Sequence, residues 1–211
     1  MPVVLMLDVE PQHEVYIPDY QIYHNHSTIK YHLQDMASQY SSIIHMNEYN
    51  FKSAKGNSQL LTRISNFSFP QSIKVDSRHK HLPSSEPKQE KVRLLLSFGE
   101  HAREFFPIES FFHLLKNLTK GLTLQNDPLD EINYSQQFSR WVLSNFDIFV
   151  IVMANPDGRL YVEDSKNFCW RGTSSGVDLN RNFDWEFGMK GSSGDPKDEE
   201  FRGLYAFSGT P

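Results

Sequence analysis

The chain of 211 residues holds one cysteine, Cys169. A single thiol excludes an intramolecular disulfide and a cysteine-based metal knuckle, so any metal must be held by histidine and carboxylate. Excess positive charge is also missing. The formal net charge is -5 with the two signs interspersed, which gives no basis for a nucleic-acid partner. Nor is there an apolar run long enough to span a bilayer. The apolar stretch Met1–Leu7 is short, has no basic flank and is ended by Asp8 and Glu10, so it makes a poor secretory signal. What is present is ample apolar material, 38% of residues with sixteen Phe, enough for one packed domain over residues 1–211. Four N-x-S/T triplets, at Asn25, Asn66, Asn117 and Asn133, suit a secreted glycoprotein. An extracellular or secretory location is therefore the expectation if residues also precede Met1.

Residues 1–22 read as an irregular lead-in. Ser27 is placed to cap a helix whose stripe is Ile29, Leu33, Met36, Tyr40 and Ile43. Strands are expected over 42–52 and 59–67, with Lys55-Gly56-Asn57 as the hairpin turn between them. Residues 70–91 lose apolar periodicity and read as a flexible insertion, with His79 and His81 solvated among lysines. The run from Val92 to Phe98 predicts a strand buried on both faces. A helix over 105–120 follows, with Phe105, Ile108, Phe112 and Leu115 as its stripe and Gly121 as its stop. A second helix over 135–146 should turn Phe138, Trp141 and Val142 inward. Residues 147–154 form another apolar strand, and Asn155-Pro156-Asp157-Gly158-Arg159 is a turn signal. Apolar strands separated by helices predict an α/β sheet with helices on both faces.

At the centre lies Gly99-Glu100-His101-Ala102-Arg103-Glu104, where the Val92 strand gives way to a helix. His101 and Glu104 stand three residues apart at that junction and can turn an imidazole and a carboxylate toward one spot, a donor pair that zinc accepts. The same spacing recurs at His45 and Glu48, where a strand end and a loop are expected instead of a metal site. On spacing alone His101 and Glu104 are equally well read as ligands or as surface polar residues.

Downstream motifs shift that balance. Glu100-His101-Ala102-Arg103-Glu104, the Asn155-Pro156-Asp157-Gly158 turn, Trp170-Arg171 and Val177-Asp178-Leu179-Asn180-Arg181-Asn182 occur in the order and approximate spacing of zinc metallocarboxypeptidases of the carboxypeptidase A type. The chain resembles that family from about Tyr23 onward. The resemblance implies a mixed central β-sheet with helices on both faces, Zn2+ as cofactor and a peptide or protein C-terminus as substrate. It implies that His101 and Glu104 are zinc ligands and that Arg171 polarises the scissile carbonyl. Asn180 and Arg181 would grip the terminal carboxylate, and Arg103 would serve a more distant subsite. A planar guanidinium offers a carboxylate two parallel hydrogen bonds, which is what a C-terminal exopeptidase requires. Asp178 is expected to pin turn amides and Trp170 to pack.

The family's third zinc ligand, a histidine on a later strand, and its catalytic glutamate match no residue here. Gly209-Thr210-Pro211 also departs from the Glu-Pro-Glu that follows Phe-Ser in the family. The expectation is the N-terminal half of a catalytic domain, inactive by itself and with one side of the Val92 strand left open. Two other readings share the gripping residues: a non-catalytic binder of peptide C-termini, and a zinc amidohydrolase of the same fold acting on acyl-amino acids.

Overall fold

The computed structural model describes residues 18–68, 90–123 and 134–207. Most of the lead-in, nearly all of the 70–91 insertion, and His79 and His81 lie outside them. In chain order the elements are α1 (His26–Gln39), β1 (Ile44–Lys52), β2 (Ser58–Ile64), β3 (Val92–Ser97), α2 (Phe106–Thr123), α3 (Tyr134–Asn145), β4 (Phe146–Ile151) and α4 (Pro156–Ser165), with a 3-10 turn at Leu179–Arg181. The strands form one sheet in the order β1-β2-β4-β3. β1 pairs β2 and β2 pairs β4 antiparallel, whereas β3 runs parallel to β4, so the sheet is mixed as expected.

Register places Ile64 beside Ile148, Thr62 beside Val150, and Leu94 and Leu96 beside Ile148 and Val150 on one face. Side chains from α1 (Ile29, Leu33, Met36), α2 (Ile108, Phe111, Leu115, Leu118) and α3 (Leu143) join Leu60, Ile64, Ile148 and Val150 in the main core. On the alternate face Arg63 donates twice to Asp147, at 2.7 and 2.6 Å, and its guanidinium lies 5.4 Å from the centre of the Phe149 ring.

Three local expectations change. The α1 cap is Asn25 rather than Ser27: its Oδ1 accepts from the Thr28 amide at 2.9 Å and from the Ser27 hydroxyl at 2.8 Å. The α2 helix runs on through Gly121 to Thr123. In α3 the buried stripe is Gln136, Ser139 and Leu143, while Phe138 and Trp141 are exposed. The small Ser139 lets α3 approach α2 closely, and its hydroxyl donates to the Asn117 carbonyl at 3.4 Å. The expectation of a β3 buried on both faces also fails, whereas the open side expected from the family resemblance is present among the described residues. β4 is its pairing partner at the sheet edge among the described residues, and Leu95 is 67% exposed. Apolar composition reports that a strand is hydrophobic, not how many neighbours it has.

Candidate active site

Backbone pairing carries the parallel β3–β4 ladder past the strand ends. Phe98 donates to Ile151 O at 2.9 Å, Ala154 to Phe98 O at 2.8 Å and Asn155 to Gly99 O at 3.0 Å. The chain then turns at Gly99, whose φ of 72° favours glycine and where a would-be Cβ would press on Met153 Sδ at 2.9 Å. The candidate residues therefore gather outside the carboxyl ends of two parallel strands, the usual ligand position in α/β sheets. Ala102 and Phe105 are buried under the turn, and the Ala102 amide donates to Arg171 O at 2.9 Å. That bond joins the two segments carrying His101 and Arg171.

His101 is nearly buried and lies between two carboxylates. Its Nδ1 is 2.8 Å from Glu104 Oε1 and its Nε2 is 3.2 Å from Asp178 Oδ1. Asp178, fully buried, also accepts from Arg171 Nε at 2.9 Å through Oδ2 and from the Asn180 amide at 2.9 Å through Oδ1. Arg171 reaches back to Glu104 at 3.8 Å. Burial alone would raise the Asp178 carboxyl, but bonds from His101, Arg171 and the Asn180 amide outweigh it and hold the pKa at about 2. The His101 pKa is raised: the Asp178 hydrogen bond leads, burial opposes it, and Glu104 adds to the rise. An imidazole held at Nε2 by a buried carboxylate presents Nδ1 toward Glu104 in a fixed orientation, the way histidine ligands are commonly supported. The pair suits zinc chemically, with nitrogen and carboxylate oxygen converging. Among the described residues no group of three His, Cys, Asp or Glu side chains could hold a metal ion.

Asn180 links this cluster to open space. Its Nδ2 lies 3.4 Å from His101 Nε2, and with Arg181 it lines a cavity of about 560 Å3 whose walls include Phe183, Trp185 and Met189. Arg181 donates through Nε to Gly191 O, through NH1 to Asn180 O at 3.3 Å and through NH2 to Glu200 Oε1 at 3.3 Å. Arg103 turns the other way, donating to Cys169 O at 3.0 Å and to Glu199 Oε2 at 2.7 Å. His101, Glu104, Arg171 and Asn180 thus form one cluster, Arg181 sits on the adjoining cavity, and Arg103 lies apart on a more exposed surface.

The Asn-Pro-Asp-Gly stretch, expected as a turn, opens helix α4, and each of its residues supports the site. Asn155 caps the helix by accepting from Gly158 N at 2.8 Å, while its Nδ2 donates to Glu100 O at 3.1 Å and Gly172 O at 3.0 Å. Pro156 takes the first helical position. Asp157 receives the Ser53 hydroxyl, the Lys55 amide at 2.8 Å and Asn57 Nδ2 at 2.7 Å, tying the β1–β2 hairpin to the site. A Cβ on Gly158 would lie 2.4 Å from Gly172 O. Buried Arg159 donates to Glu163 Oε1 at 2.8 Å and lies 3.4 Å from the Phe105 ring centre. Asp178 pins a turn amide as expected, but its bonds to His101 and Arg171 were not foreseen. No local pattern signals a partner 77 residues away. Trp170 packs against Tyr161 and donates to Thr173 O at 3.0 Å. At the second His-x-x-Glu, His45 stacks on Phe67 and Glu48 pairs with Lys30, neither near the cluster.

A family model described as zinc carboxypeptidase matches residues 29–210. Human carboxypeptidase A1 is 40% identical over 119 residues, covering 52% of this chain and 25% of its own length. Mouse carboxypeptidase A1 is 35% identical over 116 residues, covering 51% and 25%. These alignments span about a quarter of the relatives' length. Bovine thrombin-activatable fibrinolysis inhibitor, solved in complex with tick carboxypeptidase inhibitor, shares the fold with a TM-score of 0.65 at 19% identity, over 90% of this chain and 53% of that one. Carboxypeptidase A from Helicoverpa armigera does so with a TM-score of 0.64 at 22% identity, over 90% and 40%. With the family model spanning most of its length, the chain belongs to the zinc carboxypeptidase family.

Proposed function

We propose that the protein is a zinc-dependent metallocarboxypeptidase releasing C-terminal residues from peptides, and that residues 1–211 supply part of its catalytic domain. The observation carrying this reading is the continuity from His101 and Glu104 through Asn180 to the cavity bearing Arg181. His101 and Glu104 would hold the zinc. When bound, zinc supplies Lewis acidity and acidifies water. Arg171, held by Asp178, would oppose negative charge developing on the scissile carbonyl oxygen. Asn180 and Arg181 would receive the terminal carboxylate by charge-assisted hydrogen bonds. Arg103, farther out, would meet a more distant part of a longer peptide.

The test uses protein produced from its complete reading frame, loaded with zinc, and a peptide offered as the free acid and as the C-terminal amide. Residues should be released one at a time from the acid alone, and His101→Ala should abolish release. Internal cleavage, or equal cleavage of acid and amide, would overturn the reading. A second reading, non-catalytic binding of peptide C-termini, draws support from the absence of a third ligand among the described residues. It predicts the same preference for the acid in binding, with no release.

A further inference from the structure

Two successive carboxylates, Glu199 and Glu200, each take one of the arginines assigned to the substrate. Glu199 meets Arg103 at 2.7 Å and Glu200 meets Arg181 at 3.3 Å. The backbone of this segment is fixed on both sides. The Glu200 amide donates to Asp198 Oδ1 at 3.0 Å, and the Ser193 amide donates to Glu200 O at 2.9 Å. Phe201 is buried, and its carbonyl accepts from the Asp178 amide at 2.8 Å. Glu200 is thus delivered to Arg181 by the same scaffold that holds the inner cluster.

A carboxylate gripped in the bidentate manner uses two parallel N–H bonds, one from each of two guanidinium nitrogens. On Arg181, NH1 already donates to Asn180 O, NH2 to Glu200 and Nε to Gly191 O. We infer that Glu200 competes with the incoming C-terminal carboxylate for the Arg181 guanidinium and is a specificity-determining residue of this cavity, weakening the preference for a free acid over a neutral terminus. The inference rests on Arg181 being the carboxylate grip. A ligand acid must displace Glu200 or share NH2 with it, leaving two anions on one cation. A C-terminal amide meets no such repulsion. The carboxylate partner thereby narrows the gap between the two ligand classes while leaving the apolar walls, Phe183, Trp185 and Met189, unchanged for both.

The test compares N-acetylphenylalanine with N-acetylphenylalanine amide, titrated by NMR chemical shift into the wild-type chain, Arg181→Ala, Glu200→Gln and Glu200→Ala. Thermal unfolding is checked for each variant. Arg181→Ala should lose the preference for the acid. Both Glu200 variants should bind the acid about two- to fivefold more tightly, the scale of an exposed ion pair, with the amide unchanged. Acid affinity that is unchanged or reduced in the Glu200 variants, with Arg181→Ala still losing the acid, would overturn the inference and leave the grip intact. Equal tightening of acid and amide would also overturn it, because that is the signature of a structural change. An Arg181→Ala chain that still distinguishes acid from amide would overturn the grip itself and this inference with it.

Discussion

The inner and outer parts of the site hold arginine against carboxylate under opposite conditions. Arg171 meets an Asp178 that is 0% exposed and also fixed by His101 and a backbone amide, whereas Arg181 meets a Glu200 that is 44% exposed. Arg103 and Glu199 are similarly open to water. In water two opposite charges gain little from one another, while a buried carboxylate must be satisfied on every side or it costs heavily. The inner group is therefore scaffold as much as chemistry. The outer pairs are the more easily exchanged, which fits the substrate-binding role proposed for their arginines.

The sharpest test of that contrast is Asp178→Ala. It leaves Arg171 Nε, His101 Nε2 and the Asn180 amide without their acceptor, and about 3–5 kcal/mol of folding stability should be lost in urea unfolding. A loss under 1 kcal/mol would mean the inner pair is no more structural than the outer ones. Next comes Arg181→Ala. In the complete protein it should cost about 2–5 kcal/mol in kcat/KM for free-acid peptides, since it removes a charge-assisted fork, yet shift folding stability by under about 1 kcal/mol. A large fall in stability without a change in kcat/KM would reverse the roles of the two arginines.

Acid titration of the metal-free protein gives a third measurement. The Asp178 pKa is depressed to about 2 from 3.8, so its contribution is present above the unfolded value and is lost as pH falls through the folded one. Between about pH 5 and pH 2 the wild type should lose roughly 2 kcal/mol more than Asp178→Asn. Parallel curves would show that the carboxylate is not held as the geometry indicates. The smallest effect is expected for Glu199→Gln, within about 0.5 kcal/mol in thermal or urea unfolding, because the Glu199 side chain is 58% exposed. Metal content after dialysis checks the inner pair separately. With His101 and Glu104 as the only proposed ligands the chain should retain little zinc, and stoichiometric zinc lost in His101→Ala would mean that a third ligand exists outside the described residues.

Much of the element order was legible in sequence because periodicity is local. The α2 stripe of Ile108, Phe112 and Leu115 and the hairpin around Gly56 depend on residues within a few positions of each other. The closeness of His101 and Glu104 was legible for the same reason, three residues apart at a strand end, but their proposed ligand role came from the downstream motifs, since His45 and Glu48 share the spacing. By itself, then, the sequence determined which segments become helix or strand, and which histidine and carboxylate can share one spot. The open side of β3 was already expected from the family resemblance, whereas tertiary structure alone decided that Leu95 on that strand stays exposed and that Ser139 rather than Phe138 faces α2. It also decided that Asn155 and Asp157 brace the site as well as forming a turn, and that Asp178 orients both His101 and Arg171. Those outcomes depend on which distant groups remain available to satisfy a buried donor or acceptor, and that is settled only when separate stretches of chain pack together.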